Sequence, residues 1–125
     1  MVNAQQWLEY KYPTQQSKED VIKLEISPSS IDKLEGTLIL MNFTKLEELD
    51  CRSNYITFLE IINCPNLKVI NLYNNQLTEL KLGKLEKLTD LVCNINQLNN
   101  LDITGCPNLK NLDCSRNLLV DLDLR

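Results

Sequence analysis

Four asparagines, Asn54, Asn75, Asn96 and Asn117, stand 21 residues apart, and so do Leu46, Leu67, Leu88 and Leu109. A strict period of that length restricts the fold more than any other property of the chain, because each repeat must then be one structural unit stacked on the next. The repeats begin LEELDCRSNYI, LKVINLYNNQL, LTDLVCNINQL and LKNLDCSRNLL, and each follows LxxLxLxxNxL. Their second halves also recur as FLEI, ELKL, NLDI and DLDL, with Leu59, Leu80, Leu101 and Leu122 in one column. A further column holds Phe43, Cys64, Leu85 and Cys106.

Alternation in LxL turns the outer residues inward and the middle one outward, as in a strand. One rung cannot bury its own ring of leucines, whereas stacked rungs bury a continuous core. The asparagine column has a structural job: an amide carries donors and an acceptor, so it can satisfy corner backbone groups that water no longer reaches. Twenty-four Leu and 15 Asn in 125 residues follow from this architecture. The second halves alternate too, and predict a weaker second ladder or extended return with almost no helix in the repeats.

The pattern resembles the leucine-rich repeat family, in its short class of 21-residue repeats whose second half reads LDL, over about residues 21–125. The resemblance implies a mainly β solenoid, with a parallel strand ladder on one face and tight returns on the other. The expected organisation is an N-terminal capping helix and linker over 1–20, an atypical first repeat over 21–45, and four 21-residue repeats over 46–125, the last without a cap. In the first repeat Val21, Leu24 and Ile26 fill the leading columns, Ser29 takes the Asn place with Ile31 after it, and Leu38 and Leu40 match Leu59 and Ile61. The offset from Leu24 to Leu49 is 25, so extra residues enter around IDKLEG.

Upstream, NAQQWLEYKYP predicts one short helix, capped by Asn3 with Gln6 in the reciprocal position and stopped by Pro13. Ala4, Trp7, Leu8 and Lys11/Tyr12 make its stripe, with Trp7 as a lid over the first rung rather than a binding anchor. This leader followed by such repeats is similar to a group of repeat proteins abundant in arbuscular mycorrhizal fungi. At the other end, Leu112, Cys114, Leu119, Leu122 and Leu124 would face an open stack end, inviting either further rungs or association with another chain.

Composition narrows the chemistry. With no His, the commonest general base and metal ligand is missing, and the three Gly stand alone rather than in a phosphate-binding loop. The five Cys occupy repeat columns that Leu or Phe fill elsewhere: Cys51, Cys93 and Cys114 replace the residue at Leu72, and Cys64 and Cys106 share the column of Phe43 and Leu85. Buried reduced thiols are the first expectation. A Cys93–Cys114 bridge, at ~4.8 Å between rungs, comes next, and a metal site last. No catalytic residue, metal or cofactor is expected, and the chain is read as a non-enzyme. A net charge of −4 points away from nucleic acid. No membrane-length apolar run or signal pattern is present, so a cytoplasmic protein is expected.

What remains for function is the outward ladder columns: Glu48, Val69, Asp90, Asn111; Asp50, Asn71, Val92, Asp113; and Arg52, Tyr73, Asn94, Ser115. Tyr73 flanked by Arg52, Val92 and Asn94 is the expected hot spot for a protein partner, with Asp50 and Asp113 among the acids that favour a basic one. Glu60, Lys81, Asp102 and Asp123 form a charged column on the return face that keeps it soluble. The alternative function is a structural spacer or homo-oligomer associating through the C-terminal rung.

Overall fold

The alternating LxL segments become a parallel ladder. A computed structural model describes residues 1–26 and 33–120. It opens with β1 (Val2–Asn3), α1 (Ala4–Lys11) and α2 (Gln15–Glu19). The strands β2 (Lys23–Glu25), β3 (Leu34–Met41), β4 (Glu48–Asp50), β5 (Tyr55–Ile62), β6 (Val69–Asn71), β7 (Glu79–Lys81), β8 (Asp90–Val92) and β9 (Asn111–Asp113) follow. They form two sheets, ordered β2-β4-β6-β8-β9 and β1-β3-β5-β7, with all pairs parallel. The molecule is a mainly β solenoid.

In the first sheet, the ladder sheet, Leu24, Leu49, Ile70, Leu91 and Leu112 stack in register. All but Leu112 are buried, and the neighbours on either side of each point outward. Each strand lasts three residues because the chain then turns a corner through the left-handed region at Ser53, Asn74, Ile95 and Arg116. Asn tolerates that conformation, whereas a β-branched residue is strained there. Ile95, at φ 56°, is the misfit of its column. Ile95→Asn, which copies Asn74, is expected to raise unfolding stability by roughly 0.5–1 kcal/mol in urea titrations.

Just after each corner the repeat asparagine turns inward. Asn75 Oδ1 accepts from Ile56 N at 3.0 Å, while its Nδ2 donates to Cys51 O at 3.0 Å and Leu72 O at 3.2 Å. Asn54 reaches Leu34 N, Ile26 O and Cys51 O, and Asn96 reaches Leu77 N, Leu72 O and Cys93 O. Asn117 continues with Leu98 N, Cys93 O and Cys114 O. Consecutive asparagines therefore share the carbonyls of Cys51, Leu72 and Cys93, using both lone pairs. The ladder ties every rung to the one before it.

The second sheet corrects the expectation of a weaker ladder. Its strands β3 and β5 have eight residues each, the longest in the protein. Tyr55-Ile56-Thr57-Phe58 are strong strand formers, whereas Asn99, Asn100 and Asp102 two turns later are poor ones. The sheet accordingly shrinks to three residues at β7 and to an isolated bridge at Asp102. Leu38 pairs with Leu59 and Leu40 with Ile61, as the repeat columns require. Where the fourth return ends, Gly105 lies against the backbone of Gly83, and a Cβ there would strike Gly83 O. Ser29 and Ile31 of the first repeat, and Leu122, Asp123 and Leu124 of the last, lie outside the described residues.

Leu46, Leu67 and Leu88, with Phe43 at one corner, fill the space between the sheets at no more than 1% exposure. All five cysteines are free thiols; Cys51, Cys64, Cys93 and Cys106 are buried and Cys114 is half-buried. Burial pushes the Cys93 thiol up to about 12 and raises those of Cys51, Cys64 and Cys106 as well.

The leader closes the N-terminal end of this core. Asn3 caps α1 by accepting from Gln6 N at 3.0 Å, although a reciprocal bond from the Gln6 side chain is absent among the described residues. Ala4 and Leu8 are buried, Trp7 is half-buried against the core, and Tyr12 meets Phe43 edge-on at 5.5 Å. The expected linker after Pro13 instead contains α2, where Thr14 and Ser17 form both halves of a capping box. A hydroxyl three residues before another was its signal, and it went unread because five residues carry no periodicity.

Candidate functional site

The ladder register carries past the strand ends, which brings the third outward column together. Cys51 N donates to Asn71 O and Ser53 N to Tyr73 O; Leu72 N donates to Val92 O and Asn74 N to Asn94 O. Arg52, Tyr73 and Asn94 therefore sit on successive rungs, and Asp50, Val92 and Asp113 belong to the column beside them. Tyr73 is 37% exposed, Arg52 and Asp113 are exposed, and Asp50, Val92 and Asn94 are half-buried.

Two of the acids have a second task. Asp50 Oδ1 accepts from Arg52 N at 3.2 Å, and its Oδ2 lies 3.4 Å from Arg52 Nε. Asp113 Oδ1 accepts from Ser115 N at 3.1 Å and Ser115 Oγ at 2.7 Å, which holds its carboxyl below the ordinary value. Asn71 does the same for Tyr73 N at 3.0 Å. These are side-chain turns that prepare the corner. The spacing of an Asp or Asn three residues before the corner residue was the legible signal for them. Val92 breaks the column, having no acceptor to offer. On the same rung the Oδ1 of Asn94 is buried without a partner among the described residues.

Charge on this face changes along the stack. Lys23 lies 3.7 Å from both Glu25 and Glu48, and Asn111 Nδ2 is 3.3 Å from Asp90 Oδ1. Between these charged ends Val69, Tyr73 and Val92 form a less polar centre. A shallow hollow of about 330 Å³ opens between Asp90, Val92, Asn111 and Asp113.

A larger hollow lies elsewhere. About 890 Å³ separates β7 from residues 99–105 on the return side, where the second sheet fades. Its walls are polar and apolar in about equal parts, with Thr78, Leu80, Lys81 and Asp102 among them. Asp102 is held below the ordinary carboxylate value by Thr104, whose Oγ1 and N both bond it. Neither hollow gathers a nucleophile with a base. Among the described residues no group of three or more Cys, Asp or Glu is placed to hold a metal ion. No helix among them is long and apolar enough to cross a membrane.

Residues 44–85 match the family described as leucine rich repeats, in two copies. Those two turns of the stack are leucine-rich repeats. No curated protein and no solved structure matched it. The matched stretch runs from just after β3 to the corner after β7, and so contains Asp50, Arg52 and Tyr73. Leucine-rich repeats are in general modules of protein interaction, because a rigid stack holds outward side chains at a constant spacing.

Proposed function

We propose that the chain binds a protein partner through the outer face of its ladder sheet, with Tyr73 and Arg52 as anchors and Val92 and Asn94 beside them. The observation that supports this reading most is the contrast between columns. Inward positions are uniform Leu, Ile or Cys, at near-zero exposure from β4 to β8, while the adjacent outward positions vary from rung to rung. Aromatic and Arg side chains carry most interface energy when the surrounding surface excludes water. Glu48, Asp50, Asp90 and Asp113 then favour a basic partner and speed its approach.

A partner recovered by affinity capture tests the reading. Tyr73→Ala is expected to weaken its binding by roughly tenfold or more, while Lys81→Ala on the return face leaves it unchanged. Raised salt should slow association through loss of the acidic field. Equal binding by the wild-type and Tyr73→Ala chains would remove this face from consideration.

A further inference from the structure

The N-terminal leader seals one of the two sheet edges at its end of the solenoid and leaves the other uncovered. On the return side β1 pairs with the start of β3. Beyond that pairing, Gln5 Oε1 accepts from Ile39 N at 2.7 Å, Gln15 Nε2 donates to Asn42 O at 2.9 Å, and Lys18 Nζ donates to Met41 O at 3.2 Å. On the ladder side β2 is the terminal strand, and among the described residues β4 is the one element that packs substantially against it.

Hydrogen bonds fix which way the groups of β2 point. Ile26 N donates to Asp50 O, and Ile22 O accepts from Glu47 N and Glu48 N. Along a strand, main-chain groups facing one neighbour belong to alternate residues. Leu24 therefore shares the β4 side with Ile22 and Ile26, while Lys23 and Glu25 direct their N–H and C=O groups outward. Their side chains project from the outer face and are about half exposed, at 56% and 49%. Ile22, immediately before the strand, is 54% exposed.

A lone Lys on a bare edge would repel a second copy. Lys-Leu-Glu behaves differently, because it is complementary to itself when run antiparallel. With a two-fold axis at Leu24, Lys23 of one copy stands opposite Glu25 of the other, and the reverse holds on the far side of the axis. Those residues also carry the outward main-chain groups, so each opposed pair is a hydrogen-bonded pair as well as an ion pair.

We propose that β2 pairs antiparallel with β2 of a second copy of this chain, giving an isologous dimer in which the two ladder sheets run into one. An axis normal to the sheet turns both outer faces the same way. A partner with two binding epitopes would then meet a bivalent surface and gain avidity. The pairing stands independently of which residues on that face bind a partner.

Sedimentation or light scattering over a dilution series reads the dimer directly. The expected result is a concentration-dependent dimer that weakens as salt rises. Lys23→Glu and Glu25→Lys each place like charges opposite one another, and each should reduce association by about tenfold. An equimolar mixture of those two chains should restore it, because an acidic strand then meets a basic one. Circular dichroism and melting of each variant serve as the folding control, since both residues are exposed. A chain that remains monomeric throughout overturns the proposal. So does a reduction in both variants without recovery in the mixture. A dimer indifferent to either substitution also overturns it, and points to the last described rung instead.

Discussion

Asn75→Leu is expected to lower unfolding stability by roughly 3–4 kcal/mol, although Leu branches at the same carbon as Asn and suits the interior. The loss comes from the backbone groups Asn75 leaves behind. Ile56 N has the Asn75 oxygen as its acceptor, so the substitution strands a buried donor. Cys51 O and Leu72 O each lose a bond but keep those from Asn54 and Asn96, which limits the damage there. An orphaned buried donor costs about 1–3 kcal/mol and each lost bond about 1 kcal/mol. Because Asn75 joins its own rung to the preceding one, the weakness should be local to that interface, as nearest-neighbour coupling in a solenoid requires. Urea titration of Asn75→Leu beside Asn100→Ala checks it. The latter replaces an exposed side chain and should change stability by no more than about 0.5 kcal/mol.

Alkaline solution is expected to destabilise the fold well before lysines titrate. The Cys93 thiol is pushed up to about 12 by burial, and that of Cys51 is raised further still. In the unfolded chain a thiol ionises near 8.5. A group whose value is raised on folding contributes its full stability below the unfolded value and loses it as pH rises toward the folded one. Each thiol held neutral costs about 1.4 kcal/mol per pH unit in that window, so Cys51 and Cys93 together remove roughly 4 kcal/mol between pH 8.5 and 10. Unfolding free energies measured from pH 7 to 10 should fall along that slope. Cys93→Leu, which copies Leu72 in the same column, should lessen the slope by about 1.4 kcal/mol per pH unit. A flat profile would show that these thiols are not buried as described.

The period made the core legible without coordinates. Leu46, Leu67, Leu88 and the Asn column are all where a stacked repeat must put them, because a burial pattern with a fixed period is imposed by the chain's own geometry. The cysteines were equally legible, since a residue that replaces Leu in a repeating column inherits its burial. The leader was only partly so. Asn3, Ala4 and Leu8 showed α1, but α2 and β1 are too short to leave a periodic trace.

The outward residues divide in the same way. The sequence named Asp50, Arg52, Tyr73, Val92, Asn94 and Asp113 as neighbours, and alternation was sufficient for that. It could not show that Asp50 and Asp113 spend their carboxylates on the corners, or that Asn94 Oδ1 is buried without a partner. Those facts depend on where backbone N–H groups of the turn point, which no pattern of residue types records. The strength of the return sheet was likewise a tertiary decision. Eight-residue strands at β3 and β5 shorten to a single bridge by Asp102, and Gly105 admits the close approach of two backbones there. By itself, then, the sequence determined the rung, its inward columns and the asparagine ladder, because each is a local rule repeated every 21 residues. Only the tertiary structure decided which edges are sealed, which carboxylates are engaged and where the second sheet ends, because these depend on how one turn lies against the next.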